Sequence, residues 1–412
     1  MPDWRLGVVL VAAAVAATGC GQATSPRATP AAGLPTATAP AAPGAAIPGV
    51  ATPPPGAAES GLLQEAWQGY RSAFIQGDGR VVDPERGGVS TSEGQSYAML
   101  RAVWSGDRTT FDHVWRWTQD NLGIRETGLF GYLWGDNHHG AYTLLSRDSA
   151  ADADEDIGFA LLLASRRWAD PGYLAGSRGV LASIWAHDVA TAAGLPFLSA
   201  GSWAPGSRSG GLIVDPSYMA PYEYRLFAAA DPAHPWTQLV ATAYAVVTRC
   251  SAAPLSTGRS AGLPPNWCAV ADAGGVRAAP RMSNADTYGY DAFRTMWRIG
   301  VDVLWNNAPE GRAYLAGQST LLHAWSGGRS LASQYSHDGR ALGGPDPTVA
   351  GGDIGAFLVA DPAAAHSVLQ DVLLASYSHD GAAHFGDPHN YYEQNWVWFG
   401  IALAYGAVQS EG

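Results

Sequence analysis

Cysteine is scarce in this chain, with three in 412 residues. There is no Cys-x-x-Cys pair and no Cys/His cluster, so a zinc site is not expected. Positive charge is also thin. Twenty-four Lys and Arg face 36 Asp and Glu, for a formal net charge of −12. A duplex binder needs a basic footprint, so this balance argues against nucleic acid as the main partner. Long apolar runs are missing too. The run from Leu6 to Ala17 is too short to span a bilayer. Strand-like alternation is sparse. What is present is 47% apolar and 10% aromatic residue, with 15% charged. That composition folds, and it rules out a wholly disordered chain. Sixteen Trp and seventeen Tyr supply core volume and also flat platforms for sugar rings.

The sequence divides into three parts. Residues 1–20 begin with a weakly basic start at Arg5, continue through the apolar run, and end in Ala17-Thr18-Gly19-Cys20. This has the form of an export signal peptide, and its end resembles a bacterial lipobox. Cys20 would then carry the lipid that anchors the mature chain to a membrane; cleavage without lipid would release it as a secreted protein. Either way the expected location is extracytoplasmic. Residues 21–58 are Ala, Pro, Thr and Gly with almost no charge or large apolar side chain. Nothing there can repay ordering entropy, so a Pro-rich disordered tether is expected. The remaining two cysteines, Cys250 and Cys268, are expected to form a disulfide in an oxidising compartment.

Residues 59–412 read as one helical domain. Ile157, Ala160, Leu161, Ala164 and Trp168 lie on one helix face. Similar periodicity runs through 62–74, 95–101, 111–122, 218–229, 236–247, 291–305, 313–325, 354–360, 364–375 and 391–407. Ten to twelve helices are expected. A length beyond the usual single core of ~250–300 residues suggests that they form a ring.

Acidic residues gather in three places. In Thr91-Ser92-Glu93-Gly94-Gln95, Thr91 or Ser92 can cap a helix with Glu93 in its first turn. By itself that reads as a carboxylate favoured by the helix dipole. The stretch Asp152-Ala153-Asp154-Glu155-Asp156 imitates the start of a calcium loop, but Ile157 stands where Gly is required. A diphosphate–magnesium site is an alternative there. The third place is Tyr290-Asp291-Ala292-Phe293-Arg294, where Asp291 and Arg294 can share a helix face. By itself this reads as an i,i+3 ion pair.

Taken together, these segments resemble glycoside hydrolase family 8. Asp215-Pro216-Ser217-Tyr218-Met219-Ala220-Pro221 and Tyr391-Tyr392-Glu393-Gln394 add to the match, and all occur in the family's order. The resemblance implies an all-α, (α/α)6 barrel and an inverting, endo-acting hydrolase of β-1,4-linked glucan. By motif position Glu93 would be the general acid and Asp291 the general base. Asp152 would hold the central sugar distorted and help order the attacking water. The resemblance implies no metal and no organic cofactor, and a monomer acting on a β-linked polysaccharide is expected.

The physical logic agrees with this assignment. Hydrolysis of a glycosidic bond needs one protonated and one ionised carboxyl on opposite sides of the sugar. Residues 93 and 291 can meet only if the chain wraps a common cleft. Glu93 must hold its proton near neutral pH, through partial burial or a nearby acid. Substrate contacts are expected from Tyr97, Trp203, Tyr218, Tyr290, Arg294, Tyr391 and Tyr392. Tyr132 stands where the family commonly has Trp, so either Tyr132 or Trp134 takes over that stacking. His138-His139 read as a polar cleft wall. Two departures from the family pattern are Ala151, where Ser or Thr is usual, and Gly158, where Ala is usual. The competing readings are the same fold acting on chitosan or xylan, and a non-catalytic carbohydrate-binding lipoprotein.

Overall fold

The computed structural model describes residues 56–204, 211–280 and 282–411. The expected leader, lipidation residue Cys20 and nearly all of the tether lie outside the described residues. The tether boundary at 58 moves, because the first helix already starts at Ala57.

Thirteen helices among the described residues fall into six outer–inner pairs. Outer α1 (Ala57–Phe74) leads to inner α2 (Ser92–Trp104), and α3 (Arg108–Leu122) to α4 (Ala151–Arg167). Next, α5 (Pro171–His187) leads to α6 (Pro221–Ala230), and α7 (Trp236–Ala252) to α8 (Arg294–Asn306). The split pair α9 (Pro309–Ala316) and α10 (Ser319–Gly328) leads to α11 (Pro347–Ala360), and α12 (Pro362–Val368) to α13 (Tyr391–Ala404). Successive inner helices pack on one another from α2 round to α13. Arg101 of α2 closes the ring, its Nη1 donating to the Gln394 carbonyl and to Asn395 Oδ1 of α13, each at 3.1 Å. The fold is an (α/α)6 barrel.

Burial separates the two rings. Inner α4 is buried at every position from Ala151 to Ala164. Outer α3 buries Thr110, Phe111, Val114, Trp117, Thr118 and Leu122, a single stripe. Helix α11 approaches its neighbours through glycine. A Cβ on Gly351 would lie 2.2 Å from the Trp396 carbonyl oxygen, and one on Gly355 2.2 Å from that of Met296.

The helices depart from the sequence reading in four places. Gly351 and Gly352 read as breakers, so α11 was expected only from Ile354; the close packing that needs small residues carries it from Pro347. Helix α5 was not anticipated, because Gly172, Gly176 and Gly179 dilute its apolar face. The single helix expected over 313–325 is two, broken at Gly317 and Gln318. The expected helix at 218–229 begins properly at Pro221, after a short 3-10 turn at Pro216–Tyr218.

Short strands decorate the barrel mouths. β1 (Ser90–Thr91), β2 (Leu133–Asp136) and β3 (Tyr142–Ser146) form an antiparallel sheet in that order. β4 (Val189–Ala192) and β5 (Leu195–Leu198) are a hairpin. β6 (Leu212–Val214), β7 (Cys268–Val270) and β8 (Val276–Ala278) make a second three-stranded sheet, and β9 (Tyr377–Ser378) pairs with β10 (His384–Phe385). A disulfide joins Cys250 of α7 to Cys268 of β7.

Candidate active site

The inner helices begin at one mouth of the barrel, and their first turns carry the acids. Helix α2 is capped by Thr91, whose hydroxyl accepts from the Gly94 amide at 2.9 Å, which puts Glu93 in the first turn. Asp152 lies in the first turn of α4. Asp215 caps the 3-10 turn ahead of α6, accepting from the Ser217 amide at 2.7 Å. Asp291 lies in the turn before α8, not within it as the periodicity implied. Partial positive charge at helix starts favours carboxylates here, but four acids so close need a counter-ion.

Arg294, the first residue of α8, is that counter-ion and is 1% exposed. Its Nη1 lies 3.0 Å from Glu93 Oε2 and 2.8 Å from Asp152 Oδ2. Its Nη2 lies 3.4 Å from Asp291 Oδ1 and 3.7 Å from Asp215 Oδ2. Its Nε donates to the Asp291 carbonyl at 3.0 Å. The guanidinium also donates to Tyr97 Oη at 3.3 Å and sits over the Tyr218 ring at 5.3 Å.

The acids differ in environment. Burial pushes the Glu93 carboxyl up to about 7; Arg294 opposes this, and the charges of Asp152 and Asp291 add to it. The Tyr391 hydroxyl donates to Glu93 Oε1 at 3.2 Å. Asp215 is fully buried, and burial together with Asp291 holds it well above the usual carboxylate range. Asp291 is the open one, its side chain 40% exposed against 18% for Glu93 and 3% for Asp152. Desolvation raises it as well, with Arg294 pulling it back. One oxygen of Asp152, Oδ1, is buried without a hydrogen-bond partner. The cluster thus offers an acid that keeps its proton near neutrality beside an accessible carboxylate.

Not all of the expected substrate contacts present a ring to the cleft. Tyr97 is 1% exposed, walled in by Tyr392, Trp396 and Phe399. One turn along α2 from Glu93, it lies in the wall and positions Arg294. Tyr218 and Tyr391 are also buried, at 7% and 6%. Tyr392 donates to the Tyr290 carbonyl at 2.7 Å. The open rings are Tyr290, 42% exposed and tied to Asp346 at 2.5 Å, and Trp203, 40% exposed beside Trp267. Tyr132 joins the cluster: its hydroxyl accepts from Arg86 at 3.2 Å, and it feels the charges of Glu93 and Asp291. Trp134 goes elsewhere, stacked on Tyr142 at 5.0 Å with its edge to Trp117. His138 and His139 are exposed at the β2–β3 hairpin tip.

The acid run on α4 does not form a chelating face. A helix turns about 100° per residue, so its members meet different partners. Asp154 accepts from the Phe130 amide at 3.0 Å, and Asp156 pairs with both Nη atoms of Arg298 at 3.0 and 2.9 Å. Among the described residues no group of His, Cys, Asp and Glu is arranged to hold a metal ion. Gly158 lets α5 approach: an added Cβ would meet Leu181 at 3.2 Å, and Ser177 donates to the Gly158 carbonyl at 2.8 Å.

Asp215 had been given no role from sequence, although its motif had been picked out. Trp267, which helps hold the Asp291 charge, carried no local signal, because it reaches the site from the end of a long loop.

Fold and cluster together define an (α/α)6 barrel with four acids gathered round one arginine at one mouth. The sequence model of "Glycosyl hydrolases family 8" matches residues 56–317, and the chain belongs to that family. Over 242 residues it is 36% identical to an endoglucanase of Xanthomonas axonopodis pv. citri, covering 56% of this chain and 58% of that one. Over 235 residues it is 33% identical to an endoglucanase of Cellulomonas uda, covering 56% and 61%. The chain thus spans about three fifths of the length of these relatives. Among solved structures, a β-1,3-1,4-glucanase of Paenibacillus sp. X4 superposes with a TM-score of 0.72 at 21% identity, covering 89% of this chain and 99% of that one. An endoglucanase of Klebsiella pneumoniae gives 0.66 at 23%, covering 84% and 99%. At these identities the structures speak to the fold.

Proposed function

We propose that this protein is an endo-acting, inverting hydrolase of β-1,4-glucan, with Glu93 as general acid and Asp291 as general base. The observation that carries the reading is the shared guanidinium. Glu93 and Asp291 reach different nitrogens of Arg294, so both carboxyls border one site with the guanidinium between them; inversion asks for roughly 6.5–9.5 Å between the two, which leaves room for a water. Glu93 keeps its proton near neutral pH and gives it to the leaving glycosidic oxygen. Asp291, facing solvent, takes a proton from the water that attacks the anomeric carbon from the other side. Asp152, with one oxygen on Arg294 and the other unpartnered, accepts from a hydroxyl of the central sugar. Membership of the family and two endoglucanase relatives support the substrate class.

The test is release of reducing ends from carboxymethyl-cellulose, mixed-linkage β-glucan, xylan and chitosan, with EDTA present, by wild type, Glu93→Gln and Asp291→Asn. Glucan hydrolysis lost in both variants supports the reading. Activity surviving both substitutions sinks it, and preference for xylan or chitosan redirects the substrate.

We also propose that residues 1–20 direct export, that Cys20 carries a lipid anchor, and that the segment up to about residue 56 tethers the barrel. Cys20→Ser should move the protein from the membrane fraction to the soluble one. Equal membrane association in both forms contradicts the anchor.

A further inference from the structure

Beside the cleft lies a cavity of about 530 Å³ that shares no residue with the Arg294 cluster. Its walls are the 76–80 loop, one face of α3 and the β2–β3 hairpin. His113, Arg116, Trp117 and Asp120 follow the i, i+3, i+4, i+7 spacing of one helix face, a largely polar one flanking the buried stripe of α3. Arg116 and Asp120 are exposed, and neither side chain has an ion pair or hydrogen bond among the described residues, although they are four apart on the helix. They bring one charge of each sign to the cavity and leave it neutral.

The aromatic wall is held in place. Tyr142 is 58% exposed, the most exposed of the large hydrophobic side chains among the described residues. It is not loose: Trp134 stacks on it at 5.0 Å with an interplanar angle of 26°. Arg80 sits 4.4 Å from the Trp134 ring centre and 5.1 Å from that of Tyr142. Arg80 is fixed in turn by Ser90 Oγ at 2.9 Å and by the Gly88 carbonyl. The 76–80 loop is rigid for a separate reason. Gly79 has φ +97°, and a Cβ there would lie 2.2 Å from the His113 backbone, so only glycine lets this loop press on α3. Gln95, two residues after Glu93, donates to the Gly79 carbonyl at 3.3 Å and to Thr118 Oγ1 at 2.9 Å.

A pre-oriented, solvent-facing ring beside an uncommitted Arg–Asp pair has the chemistry of a neutral polyhydroxyl ligand. The ring face takes the C–H face of a pyranose, the guanidinium donates to hydroxyls and the carboxylate accepts from them. We propose that this cavity is a second glucan-binding site, holding a stretch of polysaccharide beyond the part that is cleaved. The ligand class rests on the glucan reading above; the existence of the site does not depend on catalysis.

Two measurements separate the possibilities. In native gels with and without embedded mixed-linkage β-glucan, Glu93→Gln is expected to be retarded by the glucan, and Glu93→Gln/Tyr142→Ala to lose roughly five- to tenfold in apparent affinity, as expected for one stacking contact. In kinetics, Tyr142→Ala should raise KM on polymeric glucan by a similar factor and leave kcat/KM on cellotetraose unchanged. Asp120→Ala should act in the same direction and more weakly. Unchanged retardation and unchanged KM on polymer overturn the proposal. An equal loss on polymer and cellotetraose also overturns it, because the cavity would then be part of the cleft. Loss of catalysis in Glu93→Gln bears only on the acid–base reading, whereas loss of retardation in the Tyr142 variant bears only on this site.

Discussion

Two arginines one helical turn apart on α8 organise two ionic layers across the barrel axis. Arg298 pairs with Asp156 through both terminal nitrogens, at 3.0 and 2.9 Å, and with Glu223 at 3.1 Å. Arg294 draws Glu93, Asp152, Asp215 and Asp291 to the layer above. The chemical groups are the same; access to solvent is not. The acids of the lower layer are 3% and 0% exposed, whereas Glu93 and Asp291 above are 18% and 40%. The lower layer is sealed from solvent, and its ion pairs tie α4, α6 and α8 together. The upper layer crowds four acids round one cation and opens at two of them. Exposure of a crowded acid turns an ion cluster into a place where protons can be given and taken.

The largest expected effect breaks that comparison directly. Glu93→Gln and Asp291→Asn should each lower kcat on glucan by about 10²–10⁴ while leaving resistance to urea unchanged or slightly higher, since each relieves like-charge crowding. Arg298→Met should do the opposite. It leaves Asp156 and Glu223 buried without their partner, a loss of about 3–5 kcal/mol readable by urea unfolding. Adding Asp156→Asn and Glu223→Gln to it should recover much of that stability, because both partners of the pair are then gone. A Glu93→Gln variant that loses stability as Arg298→Met does would erase the distinction between the layers.

The pH dependence sharpens it further. Glu93 titrates near 7 in the folded chain against an ordinary 4.5. The folded state therefore keeps a proton that the unfolded state has released, and the stability this group contributes falls as pH rises from about 4.5 to 7. As the general acid must be protonated, kcat/KM should fall as pH rises through about 7. A pH–rate profile with no such limb, or one unchanged when Glu93 is replaced, counts against the assignment. The smallest effect is a tuning one. The Tyr391 hydroxyl bond stabilises the Glu93 anion, so Tyr391→Phe should move the alkaline limb upward by less than about one pH unit. A downward shift would mean that Tyr391 acts otherwise.

Much of this site could be read from the chain, and the parts that could not share a cause. The cap pattern at Thr91 put Glu93 in a first turn, and the spacing of Asp291 and Arg294 announced their contact; both are local relations that sequence expresses. That Arg294 also holds Asp152 and Asp215 is set by closure of the ring, which periodicity does not encode. Aromatic positions were harder. Tyr97 and Tyr218 belong to recognisable segments, but whether a ring faces a cleft or its wall depends on neighbours far along the chain, such as Trp396 and Trp267. Trp134 stands two residues from Tyr132 and serves a different cavity. In the fold, glycine misled in one direction: Gly351 and Gly352 looked like breaks, yet close inner-ring packing requires them.

The central claim is that the acid and the base stand apart with a water between them. The most direct test is proton NMR of the first product formed from a β-1,4-linked oligosaccharide, read before the anomers equilibrate. The account predicts that the new reducing end appears first as the α anomer and that the β anomer grows in later by mutarotation. A new end that appears first as β would mean a retaining mechanism and would contradict the roles given to Glu93 and Asp291.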